Sequence, residues 1–138
     1  MAAPATPERI ALLQGCWQRF LNLAVRDRRY LPTPEQNEAR EKSIALLKEW
    51  LTPAQREQYD RHGDFVVVGG DTGRRYRISK PGTYSIAVLA GEDVVDRICV
   101  VPEGITADGD IMLAQKIWLE KDEKATLAIA NSMSGFHL

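Results

Sequence analysis

The spacing of apolar residues along the chain changes twice, close to Asp64 and again after Gly104. Before Asp64, apolar side chains recur every three or four residues, the period of a helix that buries one face. Short runs rich in Val, Ile and Tyr then alternate with turn residues, as is typical of β-strands. The helical period returns after Gly104. The pattern predicts an α+β fold with N-terminal helices in residues 1–63, an antiparallel sheet in 64–102, C-terminal helices packed on the sheet in 103–131 and a tail in 132–138.

Three Thr-Pro pairs mark the predicted starts of the N-terminal helices. A threonine hydroxyl can cap a helix, and proline fits the first helical position because its missing N–H would have no partner there. Gln36 and Gln55 complete a capping-box pattern after two of the pairs, and Gly63 supplies a stop. The pairs are Thr6-Pro7, Thr33-Pro34 and Thr52-Pro53. The predicted helices lie near 7–27, 34–51 and 53–62.

Two of these helices carry an apolar stripe, so we expect them to pack on each other or on the sheet. The stripe of the first consists of Ile10, Leu13, Trp17, Phe20, Leu21 and Ala24. The stripe of the second consists of Ser43, Leu46, Leu47, Trp50 and Leu51.

Four apolar runs in the middle of the chain predict a four-stranded meander. The connections between them are short and rich in Gly, Pro, Thr and Asp. Because such connections cannot cross over a sheet, neighbouring strands must be antiparallel. The predicted strands are Phe65–Val68, Arg74–Ser79, Tyr84–Leu89 and Val94–Val101.

Residues 111–119 are apolar at seven of nine positions, more than a helix with one buried face requires. Either this helix is sandwiched between the sheet and the N-terminal helices, or part of it contacts a partner. Asp108 or Asp110 is expected to cap it. Asp122 then caps a last helix over Glu123–Asn131, unless 110–131 form one helix. The tail Ser132–Leu138 is expected to fray.

The composition is that of an ordinary soluble domain. The chain has 138 residues, 18 basic against 19 acidic, with 27% charged and 44% apolar residues. This length predicts a single domain over 1–138, and the balanced charge argues against a general nucleic-acid coat protein. The N-terminus lacks the basic and apolar regions of a secretory signal, and no apolar run exceeds five residues. We therefore expect a cytoplasmic protein of bacterial type without a membrane contact.

The segment Gly69–Arg77 carries three glycines and three arginines. Glycine-rich turns expose N–H groups and arginine forks match phosphate oxygens, so one interpretation is anion binding. The segment is not a P-loop, because the Gly-x4-Gly-Lys spacing is absent. The alternative is a tight hairpin with glycines at positive φ and arginines on a solvated face. Strand alternation places Arg75 and Arg77 on one face and Tyr76 with Ile78 on the other.

Other chemistry-bearing residues do not form a recognisable constellation. Cys16 and Cys99 belong to no Cys-x-x-Cys pair and are interpreted as reduced thiols, with Cys99 as a small core residue. His62 and His137 lack a ligand-spaced partner. The sequence therefore predicts no metal site, no cofactor and no catalytic residues.

A joint pattern in the second half resembles a group of small uncharacterised bacterial proteins. The shared pieces are Asp71–Ile78, Cys99-Val-Val-Pro102, Gly109–Glu120, Glu123 and Ala130-Asn131. The resemblance covers residues 52–131 and implies a family without an established activity. It also extends distantly to zinc fingers of the SWIM type, but Cys99 is the only candidate ligand in this region and no Cys-x-His follows, so zinc is not implied.

The sequence supports two functional hypotheses. The first is a non-enzymatic protein-binding or adaptor module in which Met112, Lys116 and Leu119 of the over-apolar helix contact a protein partner or a second copy. The alternative is an accessory protein that contacts nucleic acid through the basic hairpin at 71–80. The residues of that basic hairpin are Arg74, Arg75, Arg77 and Lys80.

Overall fold

The computed structural model of the protein describes residues 31–105 and 107–135. The predicted helix over 7–27, Cys16 and His137 lie outside these residues, so the expectation of a single domain over the whole chain stays a prediction. From Gln36 onward, the described residues belong to one compact unit. No helix among them is long and apolar enough to cross a bilayer.

Helices and an antiparallel sheet make up this unit, which confirms the α+β class. The helices are α1 (Pro34–Trp50), α2 (Pro53–His62), α3 (Asp108–Lys121) and α4 (Glu123–Ile129). The strands are β1 (Phe65–Val68), β2 (Arg75–Ile78), β3 (Ile86–Ala90), β4 (Asp93–Cys99) and β5 (Asn131–Ser132). They pair in sequence order. The described sheet thus has five strands rather than the predicted four.

The fifth strand comes from the segment that was expected to end a helix and fray. Ser132 pairs with Ile98 of β4. The buried carboxylate of Asp96 accepts hydrogen bonds from the Ser132 hydroxyl and from the amide and hydroxyl of Ser134. Burial alone would raise the pKa of Asp96, but these bonds and the Arg97 amide hold it below its ordinary value. The charged carboxylate therefore fastens the C-terminal segment to the sheet.

One face of the sheet is apolar and points inward, and β2 shows the predicted alternation of Arg75 and Arg77 with Tyr76 and Ile78. Phe65, Ile78, Ile86 and Ile98 stand in register on the inner face and are fully or almost fully buried. Tyr76 lies on the same face and is also buried. The helices cover this face with their apolar side chains. The main helix contributions to the core are Leu47, Leu51, Met112, Leu113 and Leu119.

Helix α3 packs along the sheet and contacts α1 at its first turn, which buries most of its apolar side chains. It packs against β1 and β2. At its first turn, Gly109 meets the backbone of Ser43 in α1, and its amide donates to the Ser43 hydroxyl at 3.1 Å. Contacts within this chain thus bury Met112 and Leu119, while Ile117 of the same helix is 38% exposed.

Capping follows the prediction at α2 and departs from it at α3. Thr52 and Gln55 form the capping box, with their reciprocal hydrogen bonds at 3.2 and 3.1 Å, and Gly63 ends α2 at φ 74°. At α3, the N-cap is Ala107 and no side chain caps the helix. Asp108 instead pairs with Arg40 of α1 at 3.1 Å. The first helical turn is thus held by packing and an ion pair.

Helix α2 also closes the exposed edge of the sheet. The Gln58 side chain accepts the amide of Val66 at 2.8 Å, and the Gln55 amide donates to the Val66 carbonyl at 3.1 Å. Both backbone groups that Val66 turns outward are thereby satisfied. An edge strand paired in this way cannot recruit another strand at that position. The same contacts fix α2 beside β1.

Candidate functional site

A polar pocket of about 590 Å³ opens where the end of α2 meets the outer face of the sheet. We call it the arginine pocket. It is lined by Gln58, His62, Asp64, Val66, Arg75, Arg77 and Glu92.

Strand β2 supplies the two cations of the arginine pocket. Arg75 and Arg77 alternate with the buried Tyr76 and Ile78, so both project to the outer face as predicted. Residues two apart on a strand are about 6.6 Å apart, which allows two guanidinium groups to converge on one ligand. Arg75 is held by the turn after β3, because it donates to the Gly91 carbonyl at 3.3 Å.

Arg77 is half-buried, yet its side chain makes no hydrogen bond or ion pair with any residue in the described part of the chain. In register, it stands between Val66 on β1 and Ala87 on β3, neither of which has a polar side chain. A guanidinium group carries five N–H donors that match the oxygens of carboxylate or phosphate. Arg77 is therefore available to an anionic ligand.

The remaining walls combine hydrogen-bonding and acidic groups. Gln58 and His62 come from the last turns of α2, and Asp64 follows the left-handed Gly63 that ends this helix. Glu92 comes from the turn between β3 and β4. Within the described residues, neither Asp64 nor Glu92 forms an ion pair. The arginine pocket thus holds two cations and two carboxylates that do not neutralise each other by direct contact.

The predicted basic hairpin is divided by the fold. Only Arg75 and Arg77 line the arginine pocket. Lys80 is exposed in the connection after β2. Arg74 lies near Tyr76. The pKa of Tyr76 is raised far above its ordinary value, first by burial and then by the hydrogen bond to Glu123 and the charge of Glu123. The positive charge of Arg74 lowers this pKa and so offsets part of the rise. The four basic residues do not form one continuous patch.

The glycine-rich turn before β2 serves another purpose, since it binds a carboxylate of the same chain. The fully buried Glu123 at the start of α4 accepts hydrogen bonds from the amides of Asp71 and Thr72 at 3.1 and 2.7 Å. It also accepts the Thr72 and Tyr76 hydroxyls, each at 2.7 Å. In return, the Asp71 carboxylate accepts the Lys124 amide at 3.0 Å and so caps α4. We call these five residues the Glu123 clasp.

The Glu123 clasp explains the glycines better than anion binding does. A Cβ atom at Gly69 would overlap the Glu123 carboxylate, and one at Gly70 would overlap the Glu120 carbonyl. Of the three glycines, only Gly73 has a positive φ, at 73°. The prediction of positive φ therefore holds at one glycine, while the other two permit close approach of α3 and α4.

A threonine hydroxyl beside a carboxylate resembles a nucleophile with its base, but the electrostatics of the clasp oppose that role. Although burial raises the pKa of Glu123, the hydrogen bonds from Thr72, Tyr76 and Asp71 lower it below its ordinary value. A carboxylate stabilised in its charged form accepts a proton poorly, whereas a general base needs a pKa close to the working pH. The Glu123 clasp is therefore a structural element.

The three residues that were predicted to contact a partner are buried. Met112 and Leu119 belong to the core and are 2% and 0% exposed. Lys116 is 5% exposed and pairs with Glu120 at 2.6 Å within α3. Their surfaces are covered by this chain itself, so α3 does not offer them to a partner. This burial could not be predicted, because the sequence shows that the helix has more apolar residues than one buried face requires but not which elements surround it.

The cysteine and histidine that fall within the described residues do not form a metal site. Cys99 is a free, half-buried thiol at the end of β4. His62 is exposed at the end of α2. Among residues 31–105 and 107–135, no three His, Cys, Asp or Glu side chains are grouped so that they could hold a metal ion.

Sequence reasoning identified the two arginines of the arginine pocket but not its other walls. Gln58, Asp64 and Glu92 belong to a helix, a loop and a turn that are separate along the chain. Their only sequence signal was the presence of a polar side chain next to a helix stop or a turn. Comparison of the chain with protein-family models, with curated proteins and with solved structures finds no match, so the resemblance to a family of small bacterial proteins stays a prediction.

Proposed function

We propose that this protein is a non-enzymatic binding module that recognises an anionic group in the arginine pocket. The observation that carries the proposal is Arg77, a half-buried guanidinium group in a concave site without a hydrogen-bond or ion-pair partner among the described residues. A guanidinium group whose N–H donors have no partner gains charge-assisted hydrogen bonds when it binds an anion. Arg75 stands beside it and adds a second fork.

The proposal keeps the idea of a binding module and moves its contact from α3 to the outer face of the sheet. Met112, Lys116 and Leu119 support the core and leave the partner hypothesis without contact residues there. In the outer-face row that contains Arg75, Val68 and Val94 are 55% and 42% exposed, whereas Leu89 between Arg75 and Val94 is 5% exposed. Ligand binding at this face requires no rearrangement of the core.

Nucleic acid is the second candidate, because Arg75 and Arg77 come from the basic hairpin and phosphate is the group that they match. Two features weaken it. Tyr76 points into the core, and among residues 31–105 and 107–135 no tyrosine, tryptophan or phenylalanine lines the arginine pocket as a stacking platform. Arg74 and Lys80 lie outside the arginine pocket, which leaves a short positive surface for a polyanion.

The test is a titration of the purified full chain with inorganic phosphate at low salt, followed by amide chemical shifts. We expect shifts centred on Arg75–Arg77, His62 and Glu92. The Arg77→Gln variant should bind phosphate at least about tenfold more weakly, because it loses charge-assisted hydrogen bonds.

Arg97→Gln is the matched control. Arg97 occupies the same outer-face row as Arg77, two strands away, and does not line the arginine pocket. Its replacement should leave phosphate affinity within about twofold, since an exposed charge that makes no contact contributes little. Equal losses in both variants, or shifts scattered over the surface, would show that the arginine pocket is not a binding site.

A further inference from the structure

The residues that line the arginine pocket also indicate which class of anion it binds. Among the described residues that line the cavity, two carboxylates, Asp64 and Glu92, accompany the two arginines, Arg75 and Arg77. A site built to bind a chain of phosphates gains from uniform positive charge along its length. Here the two carboxylates in the described lining would repel further phosphate groups.

Resting on the proposed function, we infer that the ligand is a small phosphomonoester whose carbon skeleton carries hydroxyl groups. The phosphate group lies between Arg75 and Arg77, and the hydroxyl groups donate to Asp64 and Glu92. Two arginine forks at strand spacing match a dianion with three terminal oxygens better than they match a single carboxylate, which one fork already satisfies.

The carboxylates supply the selectivity. An ionised carboxylate only accepts hydrogen bonds, so Asp64 and Glu92 favour ligand groups that donate. A hydroxyl group next to the phosphate satisfies them, whereas a bare alkyl chain leaves them desolvated without a partner. A cavity of about 590 Å³ lies within the range of about 300–1,000 Å³ that is usual for small-molecule sites.

The ligand class is tested with two esters that share a three-carbon skeleton. Glycerol 3-phosphate carries two hydroxyl groups and propyl phosphate carries none. Isothermal titration of the full chain should show glycerol 3-phosphate binding at least about tenfold more tightly, because its hydroxyl groups form charge-assisted hydrogen bonds.

The Asp64→Ala, Glu92→Ala double variant should remove this preference, so that both esters bind within about twofold of each other. Glu103→Gln, an exposed acidic site in the loop before α3, is the matched control and should keep the preference. The melting temperature of each variant, read by circular dichroism, checks that it is folded.

A titration with single-stranded oligothymidine that lacks a terminal phosphate tests whether the pocket binds a polyanion instead. If the double variant gains affinity for it and the unmodified chain binds it more tightly than glycerol 3-phosphate, the ligand is nucleic acid and the small-molecule inference is wrong. Equal affinity of the two esters for the unmodified chain overturns the ligand class but leaves anion binding standing. Failure of phosphate, both esters and the oligonucleotide to bind overturns the proposed function itself.

Discussion

Glu123 shows how a carboxylate can be fully buried in this small core and still stay charged. Burying an unpaired charge costs several kcal/mol, and this cost is avoided when every oxygen accepts hydrogen bonds. Here the donors come from the turn at Asp71 and Thr72 and from the Tyr76 hydroxyl. All of them are donors aimed at one group. The site therefore requires a side chain that only accepts.

Glu123→Gln tests this requirement. The substitution keeps the size of the side chain but places an NH₂ group among donors, so at least one hydrogen bond is lost and two N–H or O–H groups face each other. We expect a loss of about 2–3 kcal/mol in the free energy of unfolding, measured with urea at neutral pH.

Glu103→Gln changes the same chemical group at an exposed position and should stay within about 0.5 kcal/mol of the unmodified protein. A Glu123→Gln variant as stable as this control would mean that the clasp does not hold the fold.

For single residues, the alternation of side chains along a strand correctly predicted which faces Arg75, Tyr76 and Arg77 occupy. It could not reveal Glu123 as the partner of Tyr76, because 47 residues separate them and a glutamate after a helix end has the appearance of a solvated charge. Only the packing of α4 against the turn makes it a buried acceptor.

At the scale of elements, the close approach of α3 to α1 depends on Gly109. The Gly109 backbone lies so near Ser43 and Ile44 that any Cβ atom would overlap them. The Ser43 hydroxyl accepts the Gly109 amide and donates to the Arg40 carbonyl at 2.7 Å, which locks the crossing.

Gly109→Ala should therefore push the two helices apart. We expect it to lower the free energy of unfolding by about 1–3 kcal/mol, as overpacking a well-filled contact does. Thermal unfolding followed by circular dichroism measures the change.

Gly82→Ala is the control, because a Cβ atom there meets open space apart from the Lys80 carbonyl at 4.0 Å and its φ is not left-handed. It should be neutral or slightly stabilising, since alanine restricts the unfolded chain. A Gly109→Ala variant that is as stable as Gly82→Ala would contradict the close approach.

An element could be predicted from the sequence when the residues that form and end it lie close together along the chain. The capping box at Thr52 and the stop at Gly63 are encoded within a few residues, and α2 was predicted with its observed bounds. The break between α3 and α4 lies at Asp122, whose side chain makes no cap bond; the cap comes from Asp71, far away in sequence. The two-residue β5 depends on Asp96 and carries no strand pattern of its own.

At the scale of the whole molecule, the buried acceptors make stability depend on pH. The pKa values of Glu123 and Asp96 are lowered in the folded state. The unfolded chain therefore takes up protons first as the pH falls, so the stabilisation is complete above about pH 4, the ordinary carboxyl range, and is lost as the pH drops through the lower folded pKa values. The raised pKa of Tyr76 acts in the opposite direction: above about pH 10 the unfolded state releases its proton first, and stability declines.

Urea unfolding at a series of pH values should give a plateau bounded by both declines. The acid decline should be shallower in Glu123→Gln, and the alkaline decline shallower in Tyr76→Phe. If both variants lose stability at acid and alkaline pH as steeply as the unmodified chain does, the Glu123 clasp is not the cause of either decline.

The arginine pocket also belongs to the whole molecule. Its walls come from α2 and the loop after it, from β1 and β2 and from the turn after β3, and only the folded sheet brings them together. Arg75 and Arg77 come from one strand and could be identified in the sequence. Asp64 and Glu92, on which the inferred ligand class depends, could not.

The Glu123 clasp has a consequence for the order in which the chain acquires its structure. Helix α4 has seven residues, too few to persist in water without tertiary support. Its cap is the carboxylate of Asp71, 53 residues earlier in the chain, and its first residue fills the turn that precedes β2. Helix α4 therefore cannot fold ahead of the sheet. It closes onto a turn that is already made, so the middle of the chain has to be in place before this helix can form.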